Sequence, residues 1–523
     1  MSSARKHARN LVAQWGSHGA SMVVLFFLSP FVVHTLGKVD YGIWSLLNVL
    51  MGYMGILDLG IRASTGRHVI LYLGKEDHDA VSETLRTGLG FFAAVGGLIL
   101  LAGVGLGYVF PDAFASVPDR YHGLVQALVP LMAVSVVLAA FSTVFSSVLT
   151  AHDRFDLARG VDVGVLVVRT AGTVAALLLG YGLLGLVAVT IASHALALVA
   201  NYVIAHRVYP RLRAWPLTLN RRRLRELFGY GVAAFVSAVS VKVIGQTDMV
   251  IVGAALGVSA VTVYSVGAML VYYTSSFIAH IASVFFPPVQ RAAARGEMGD
   301  VRWMLFRQVR LAMLVGLPVY IGFVFFGESF IRLWMLGPEF GEDSVRLAGI
   351  VMAVLAGSKL LTLAFTGSGG VLNATGHVRF TAGLTVVEAA VNLGLSLLFV
   401  LGLGWGLAGV ALGTIAGRAL TRTIVLPWYT CRQARIPLGS YVRQIGGSLL
   451  LAGGLFAGWC AAVRRLVPPD SWGAFALSVV AALAGYAPLA WFTLLPGPDR
   501  ARLFEALRRR YGRKGLPANN RNG

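Results

Sequence analysis

The chain has 523 residues, of which 57% are hydrophobic and only 13% are charged. Because soluble domains usually carry about 25% charged residues, this composition excludes an ordinary soluble domain and indicates an integral membrane protein. The formal net charge is +21, which in a soluble protein would suggest a nucleic-acid partner. The two cysteines, Cys431 and Cys460, are too few for a disulfide framework, and no Cys or His cluster has the spacing of a metal site.

Apolar stretches of about 20 residues, the length that an α-helix needs to cross the hydrocarbon core, occur about fourteen times along the chain. In chain order they are 11–36, 41–62, 88–110, 121–149, 161–180, 184–206, 228–254, 260–286, 305–333, 345–371, 380–402, 405–429, 441–463 and 473–495. The first follows Arg5, Lys6 and Arg9, but it is too long for a signal peptide and lacks a small-residue cleavage site. The sequence therefore predicts an all-α, polytopic membrane protein.

The basic residues indicate the orientation in the membrane. If the N-terminus is cytoplasmic, most of the 44 Lys and Arg residues fall in cytoplasmic segments, as the positive-inside bias requires. The densest basic patch, 206–227, joins spans six and seven, and the tail from Asp499 onward is nearly as basic. We predict a multi-pass protein of the cell membrane with both termini in the cytoplasm. The high positive charge then reflects the topology in the membrane rather than nucleic-acid binding. The expected partners of the basic segments are membrane lipids.

Three sequence blocks occur twice, about 220 residues apart, in the same order. GYGLLGLVAVTIASHAL (Gly180–Leu196) matches GWGLAGVALGTIAGRAL (Gly404–Leu420) at about nine of seventeen positions. VLTAHDRFDLA at 148–158 matches VLNATGHVRFTA at 371–382, and LGKVDY, ending at Tyr41, corresponds to LGVSAVTVY, ending at Tyr264. An offset of six spans keeps the direction of each helix, so we predict parallel repeats related by an axis along the membrane normal.

The repeat predicts the domain organisation. Residues 1–206 form an N-lobe with spans 1–6, and residues 228–430 form a C-lobe with spans 7–12. Residues 207–227 are a basic cytoplasmic linker, which we expect to be free to bend. Residues 431–496 add two C-terminal helices, and residues 497–523 form a basic cytoplasmic tail. Two lobes about a central cavity suit alternating access.

Several motifs resemble a known family. YGIWSLLNVLMGYMGILDLGIRAST, GQTDMVIVGAALGVSAVTVYSVGAML, FFPPVQRAAARGE and GSGGVLNATGHVRF, followed by NLGLSLLFV and GWGLAGVALGT, are similar to the polysaccharide transporters of the multidrug/oligosaccharidyl-lipid/polysaccharide exporter (MOP) superfamily. The resemblance covers most of residues 8–430. It implies a flippase that moves a polyprenyl-diphosphate-linked glycan to the outer leaflet for cell-surface polysaccharide or exopolysaccharide biosynthesis, beside polysaccharide polymerase machinery. The alternative is a cation-coupled exporter of small amphipathic compounds, because such exporters share the fold.

Ionisable residues inside spans are costly and are therefore candidates for substrate contact. The cationic candidates are Arg169, Lys242, Lys359, Arg418 and Arg422, with His194 as the counterpart of Arg418 in the repeat. A diphosphate would supply the anion that these cations need, since guanidinium groups bind phosphate oxygens in paired hydrogen bonds. In the alternative interpretation, each cation pairs with a buried acid or extends to a helix end.

Two intramembrane acids, Asp248 and Glu388, are candidates for coupling transport to a proton or sodium gradient. Asn392 follows Glu388 by one helical turn and is its expected hydrogen-bond partner. A fixed ion pair with a buried Arg or Lys is the alternative role for either acid.

An enzymatic role has little support in the sequence. The Gly-rich GSGG at 367–370 lacks the lysine of an ATP-binding loop, and the outer loops are too short for a catalytic domain. We therefore expect no catalytic residues, no bound metal and no cofactor.

Overall fold

The computed structural model describes residues 3–58, 61–229, 232–495 and 500. Its helices are α1 (Ser3–Met54), α2 (Ile61–Leu73), α3 (His78–Ala113), α4 (His122–Ala151), α5 (Phe155–Leu178), α6 (Gly182–Val208), α7 (Arg221–Gly229), α8 (Val232–Ala255), α9 (Val258–Ser283), α10 (Phe286–Ala294), α11 (Met298–Met335), α12 (Glu342–Leu363), α13 (Ser368–Ala374), α14 (Val378–Leu397), α15 (Gly406–Arg418), α16 (Leu426–Gln433), α17 (Leu438–Tyr441), α18 (Gly447–Leu466) and α19 (Trp472–Thr493). Within these ranges the extended structure amounts to one isolated bridge between Gly337 and Phe340. The predicted all-α fold class is confirmed.

Thirteen helical stretches in the described ranges are long and apolar enough to cross a membrane. The first predicted span, 11–36, and most of the second, 41–62, fall within α1, which is interrupted at Gly37, where φ is 79° and ψ is 170°. This left-handed, non-helical conformation favours glycine, because a Cβ atom would be strained there. The break divides α1 into two stretches and accounts for the difference from the predicted fourteen. The chain is a multi-pass membrane protein.

The blocks that repeat in sequence also share local backbone conformation. Both copies of the turn after VLTA and VLNA close with the same hydrogen bond, from Arg154 N to Leu149 O at 2.9 Å and from His377 N to Leu372 O at 2.8 Å. Left-handed residues stand at matching positions of the two copies: Gly37 and Gly257, Asp153 and Gly376, Gly180 and Gly404, and Gly182 and Gly406. The shared turns support an internal duplication. The symmetry that relates the two copies stays a prediction.

The chain forms two compact units. The first comprises Met1–Met269, Trp334–Val351 and Val378–Gly417. In it α4 packs against α3 and α6, α5 against α6, and α1 against α5 and α8, while α14 lies along α8. A Cβ atom on Gly413 of α15 would clash with the side-chain oxygen of Ser396 on α14. Small residues of this kind let helices in a membrane approach closely.

The second unit comprises Leu270–Leu333, Met352–His377 and Arg418–Gly523. Within it α18 packs against α19, and α13 packs against α10 and α16. Tyr486 of α19 donates to the backbone carbonyls of Met313 and Leu314 at 3.2 and 3.1 Å, which ties the last helix to α11. The predicted basic tail, 497–523, lies outside the described residues apart from residue 500.

The segment between α6 and α8 packs against helices of the first unit. Leu212 and Leu227 are buried in the same hydrophobic cluster as Val81 and Leu85 of α3. The linker's apolar positions therefore pack on the first unit, and its freedom to bend stays a prediction.

Polar contacts add to this packing through Arg223 of α7. Its Nε donates to Glu83 at 2.8 Å, and a terminal nitrogen donates to Glu226 at 2.9 Å and to the Tyr72 hydroxyl at 2.6 Å. The guanidinium carbon also lies 4.8 Å from the centre of the Tyr72 ring. Asn220 accepts from the backbone N–H groups of residues 222 and 223 and so caps α7.

Candidate functional site

The cations predicted from the sequence divide between the two units. The first unit contains Arg169 on α5, His194 on α6 and Lys242 on α8, and the second contains Lys359 on α12, Arg418 at the end of α15 and Arg422 in the π-helical turn that follows.

A cavity of about 300 Å³ in the first unit brings His194 together with Lys242. Asn48 and Gln246 also line it, and side chains of α1, α3 and α4 form apolar walls. Gln246 follows Lys242 by four residues, so both lie on one face of α8. A mostly apolar cavity with a few convergent polar groups is the usual form of a ligand site.

Two residues that line this cavity each carry a buried side-chain atom without a hydrogen-bond partner among the described residues. Nδ1 of His194 and Oε1 of Gln246 are buried, and neither has a partner among the described residues. Arg169 lies close enough to His194 for their charges to interact. The cavity is thus lined by an amide, an imidazole and an ammonium group.

In the second unit, Arg418 is only 9% exposed and donates to the hydroxyl of Ser358 at 3.3 Å. Lys359 follows Ser358 directly on α12, so the turn of α12 beside Arg418 carries a second cation. The hydroxyl of Tyr320 lies 3.0 Å from that of Ser275, and Arg418 interacts electrostatically with Tyr320. Arg418 is therefore held beside hydroxyl groups rather than extended to a helix end.

The candidate coupling acids are both buried in the first unit, Asp248 at 0% and Glu388 at 3% exposure. Asp248 accepts hydrogen bonds from Tyr264 at 2.8 Å and from Thr414 at 3.0 Å. Thr414 in turn accepts from the amide of Asn392 at 2.8 Å. The hydrogen bond that Asn392 donates therefore goes to Thr414 rather than to Glu388, and it links α14, α15, α8 and α9 in one buried polar network.

Several residues of these sites were not identified from the sequence. Gln246 and Asn48 of the cavity, and Tyr264 and Thr414 of the buried network, are uncharged and were not counted among the costly intramembrane groups. Gln246 carried a usable signal, because it stands one turn after Lys242 within a span. Thr414 carried none, since single hydroxyl residues are common in membrane helices.

These helices define a polytopic membrane protein with polar groups inside its spans. A multidrug resistance transporter of the MATE family aligns with a TM-score of 0.67 at 14% identity, covering 80% of this chain and 96% of that one. The lipid II flippase MurJ aligns with a TM-score of 0.66 at 15% identity, covering 92% and 98%. The fold is that of the MOP superfamily.

Proteins similar in sequence indicate which branch of the superfamily this chain resembles. A family model described as "Polysaccharide biosynthesis protein" matches residues 120–343. A Haloferax volcanii protein named "Probable low-salt glycan biosynthesis flippase Agl15" is 26% identical over 239 residues, which span 45% of this chain and 48% of that protein. A Shigella flexneri protein named "Putative O-antigen transporter" is 21% identical over 431 residues, which span 81% and 97%. The resemblance to the polysaccharide transporters of the MOP superfamily is confirmed.

Proposed function

We propose that this protein is a flippase that moves a lipid-diphosphate-linked oligosaccharide from the cytoplasmic to the outer leaflet by alternating access. The observation that carries the proposal is the cavity lined by His194, Lys242 and Gln246. Relatives named as a glycan biosynthesis flippase and an O-antigen transporter support the same substrate class. The chain would act without catalytic residues, beside polymerase machinery that uses the exported glycan.

The chemistry of the cavity matches both parts of such a substrate. The ammonium of Lys242 can donate to diphosphate oxygens, and the nearby guanidinium of Arg169 lowers the cost of bringing in negative charge. The side-chain amide of Gln246 is a polar, uncharged group, so it suits a sugar hydroxyl. In the second unit, Arg418 and Lys359 supply the same kind of phosphate donors, and Arg422 adds charge one turn further on.

Transport of a fluorescent polyprenyl-diphosphate disaccharide into the outer leaflet of proteoliposomes tests the proposal. We expect Lys242→Gln and His194→Ala to slow transport about tenfold or more, since each removes a group that meets the substrate. Lys75→Gln is the matched control, because it removes a lysine charge from an exposed position outside the cavity. Wild-type rates in both cavity variants, at equal protein levels, would contradict the proposal.

Coupling to a proton or sodium gradient is proposed for the buried network of Asp248, Thr414 and Asn392. The side-chain oxygen of Asn392 is buried without a hydrogen-bond partner among the described residues. It therefore offers an acceptor beside a carboxylate and a hydroxyl. We expect Asp248→Asn and Glu388→Gln to abolish the response of transport to an imposed gradient while the protein still inserts. An unchanged response to both gradients would leave these acids structural.

The second candidate function is export of small amphipathic compounds, which the MATE-family fold favours. A cationic compound would require an acidic cavity, whereas the first unit's cavity holds Lys242 and His194. Efflux of ethidium from proteoliposomes, with no transport of the lipid-linked disaccharide, would favour this candidate.

The orientation in the cell (inner or plasma) membrane, with both termini in the cytoplasm, is also a proposal. Cys431 and Cys460 are buried, so new surface cysteines can be labelled over a low background. We expect Ala115→Cys to react with an impermeant thiol reagent added outside intact cells, and Leu219→Cys to react only after the membrane is opened. The opposite pattern would invert the topology.

A further inference from the structure

A second cavity in the first unit lies at the helix ends, away from the residues proposed for transport. It measures about 650 Å³ and is lined by His152, Arg154, Leu157, Ile204, Arg207 and Val208. These residues come from the end of α4, the start of α5 and the last turn of α6. Because all three helices are candidate membrane spans, their ends mark the boundary between the hydrocarbon core and the headgroups.

The polar side of this cavity is positively charged. Arg207 is exposed and has no ion pair with any residue that the structure describes. Arg154 binds both carboxylate oxygens of Asp156, at 3.1 and 3.3 Å, and so keeps its position without adding net charge. His152 donates from Nδ1 to the carbonyl of Val148 at 2.8 Å, which leaves Nε2 for a ligand. Helix α5 also begins here without a side-chain cap.

The other side of the cavity is apolar. Leu157, Ile204 and Val208 are each partly exposed, and aliphatic side chains at this level can contact acyl chains. A site with cations on one side and aliphatic groups on the other matches a phospholipid, whose phosphate adjoins its hydrocarbon. Basic pockets between membrane helices are known to hold acidic lipid headgroups.

We propose that this cavity binds one acidic phospholipid, with its phosphate on Arg207 and Arg154 and its glycerol and upper acyl chain against Leu157 and Ile204. Free inorganic phosphate could occupy the same cations, but it would make no use of the apolar wall. The site stands on residues distinct from those of the transport cavity, so it does not depend on the proposed transport function.

Native mass spectrometry of the full chain, released from detergent after titration with phosphatidylglycerol or phosphatidylcholine, tests the proposal. We expect wild-type protein to retain one more tightly bound phosphatidylglycerol molecule than the Arg207→Gln variant retains. The affinity for that lipid should fall about tenfold or more in the variant. Arg221→Gln is the matched control, because Arg221 is also exposed and lies on α7 outside the cavity. It should retain the lipid as wild type does.

Ile204→Trp provides a second variant that keeps every charge and fills the apolar side. We expect it to lose the same phosphatidylglycerol, whereas a site for small anions would be unaffected. Equal lipid retention in wild type and Arg207→Gln, or equal loss in Arg221→Gln, would overturn the proposal. Displacement of the bound lipid by millimolar inorganic phosphate, with Ile204→Trp unchanged, would assign the cavity to a free anion and overturn it too.

Discussion

Replacing Arg223 by alanine should release the linker helix α7 from the first unit. Arg223 is 14% exposed and donates to Glu83, Glu226 and Tyr72. Burial alone would lower the pKa of Arg223, but hydrogen bonding to the two carboxylates raises that pKa above the ordinary value for arginine. The side chain therefore stays charged at every accessible pH and connects α2, α3 and α7.

The size of the effect follows from the exposure of the partners. A hydrogen bond to a charged group contributes about 1.5–3 kcal/mol when it is well buried. Glu83 and Glu226 are 38% and 31% exposed, and ion pairs open to water contribute about 0–1 kcal/mol each. With the Tyr72 hydroxyl included, the loss should be about 2 kcal/mol, or about thirtyfold in the equilibrium for local opening.

Hydrogen–deuterium exchange of the α7 amides measures this opening directly, because protection reports local as well as global unfolding. We expect protection to fall about thirtyfold in Arg223→Ala and by less in Arg223→Lys, which keeps the charge but cannot reach all three partners. Arg222→Ala is the matched control, with the same change of side chain one residue away. Arg222 is 84% exposed, and its Nε lies 3.4 Å from a carboxylate oxygen of Glu226. Replacing Arg222 by alanine should therefore change the protection of the α7 amides less than about threefold.

Equal effects of the two alanine variants would refute the reasoning, because they would show that Arg223 contributes no more than a solvated surface arginine. If the exchange protection of the α7 amides is unchanged in both variants, the apolar contacts of Leu212 and Leu227 are sufficient to hold the linker.

Three further predictions concern other parts of the chain. Arg418→Ala should slow transport of the lipid-linked disaccharide about ten- to a hundredfold, and Arg418→Lys should restore part of it. Ser358→Ala removes the described hydrogen bond but keeps the charge, so an equal loss of transport there would make Arg418 a structural residue. Gly413→Leu should overpack the contact between α15 and α14 at a cost of about 2 kcal/mol. Thermal unfolding in detergent should then show a lower midpoint than in the control Gly383→Leu, where a Cβ atom meets open space. Burial alone would raise the pKa of Glu226, but hydrogen bonds from Arg223 and from a tyrosine hydroxyl lower it. The ionised Glu226 therefore stabilises α7 above the pKa of the unfolded state, and this stabilisation is lost as pH falls through the pKa of the folded state. Glu226→Gln should therefore remove this acid dependence from the exchange of the α7 amides, and an acid dependence that survives the substitution would assign it to another group.

Much of the fold could be predicted from the sequence, because the bilayer imposes strict local rules. A span needs about 20 apolar residues and must satisfy its backbone hydrogen bonds internally, so helix content and span positions follow from composition. Gly37, Gly180 and Gly404 belong to repeated blocks and take left-handed conformations that glycine favours. Lys242 and His194 could be selected as candidates because charge inside a span is costly.

Only the tertiary structure decided which of these residues meet. Gln246 and Asn48 join Lys242 and His194 through packing of α1, α6 and α8, and nothing local to any of these helices encodes that contact. Asn392 donates to Thr414 on the next helix rather than to its neighbour one turn away, because the close approach of α14 and α15 offers a better partner. The linker is held for the same reason: its apolar and charged groups find partners on α2 and α3, far away in sequence, and a charge count of 207–227 cannot show them.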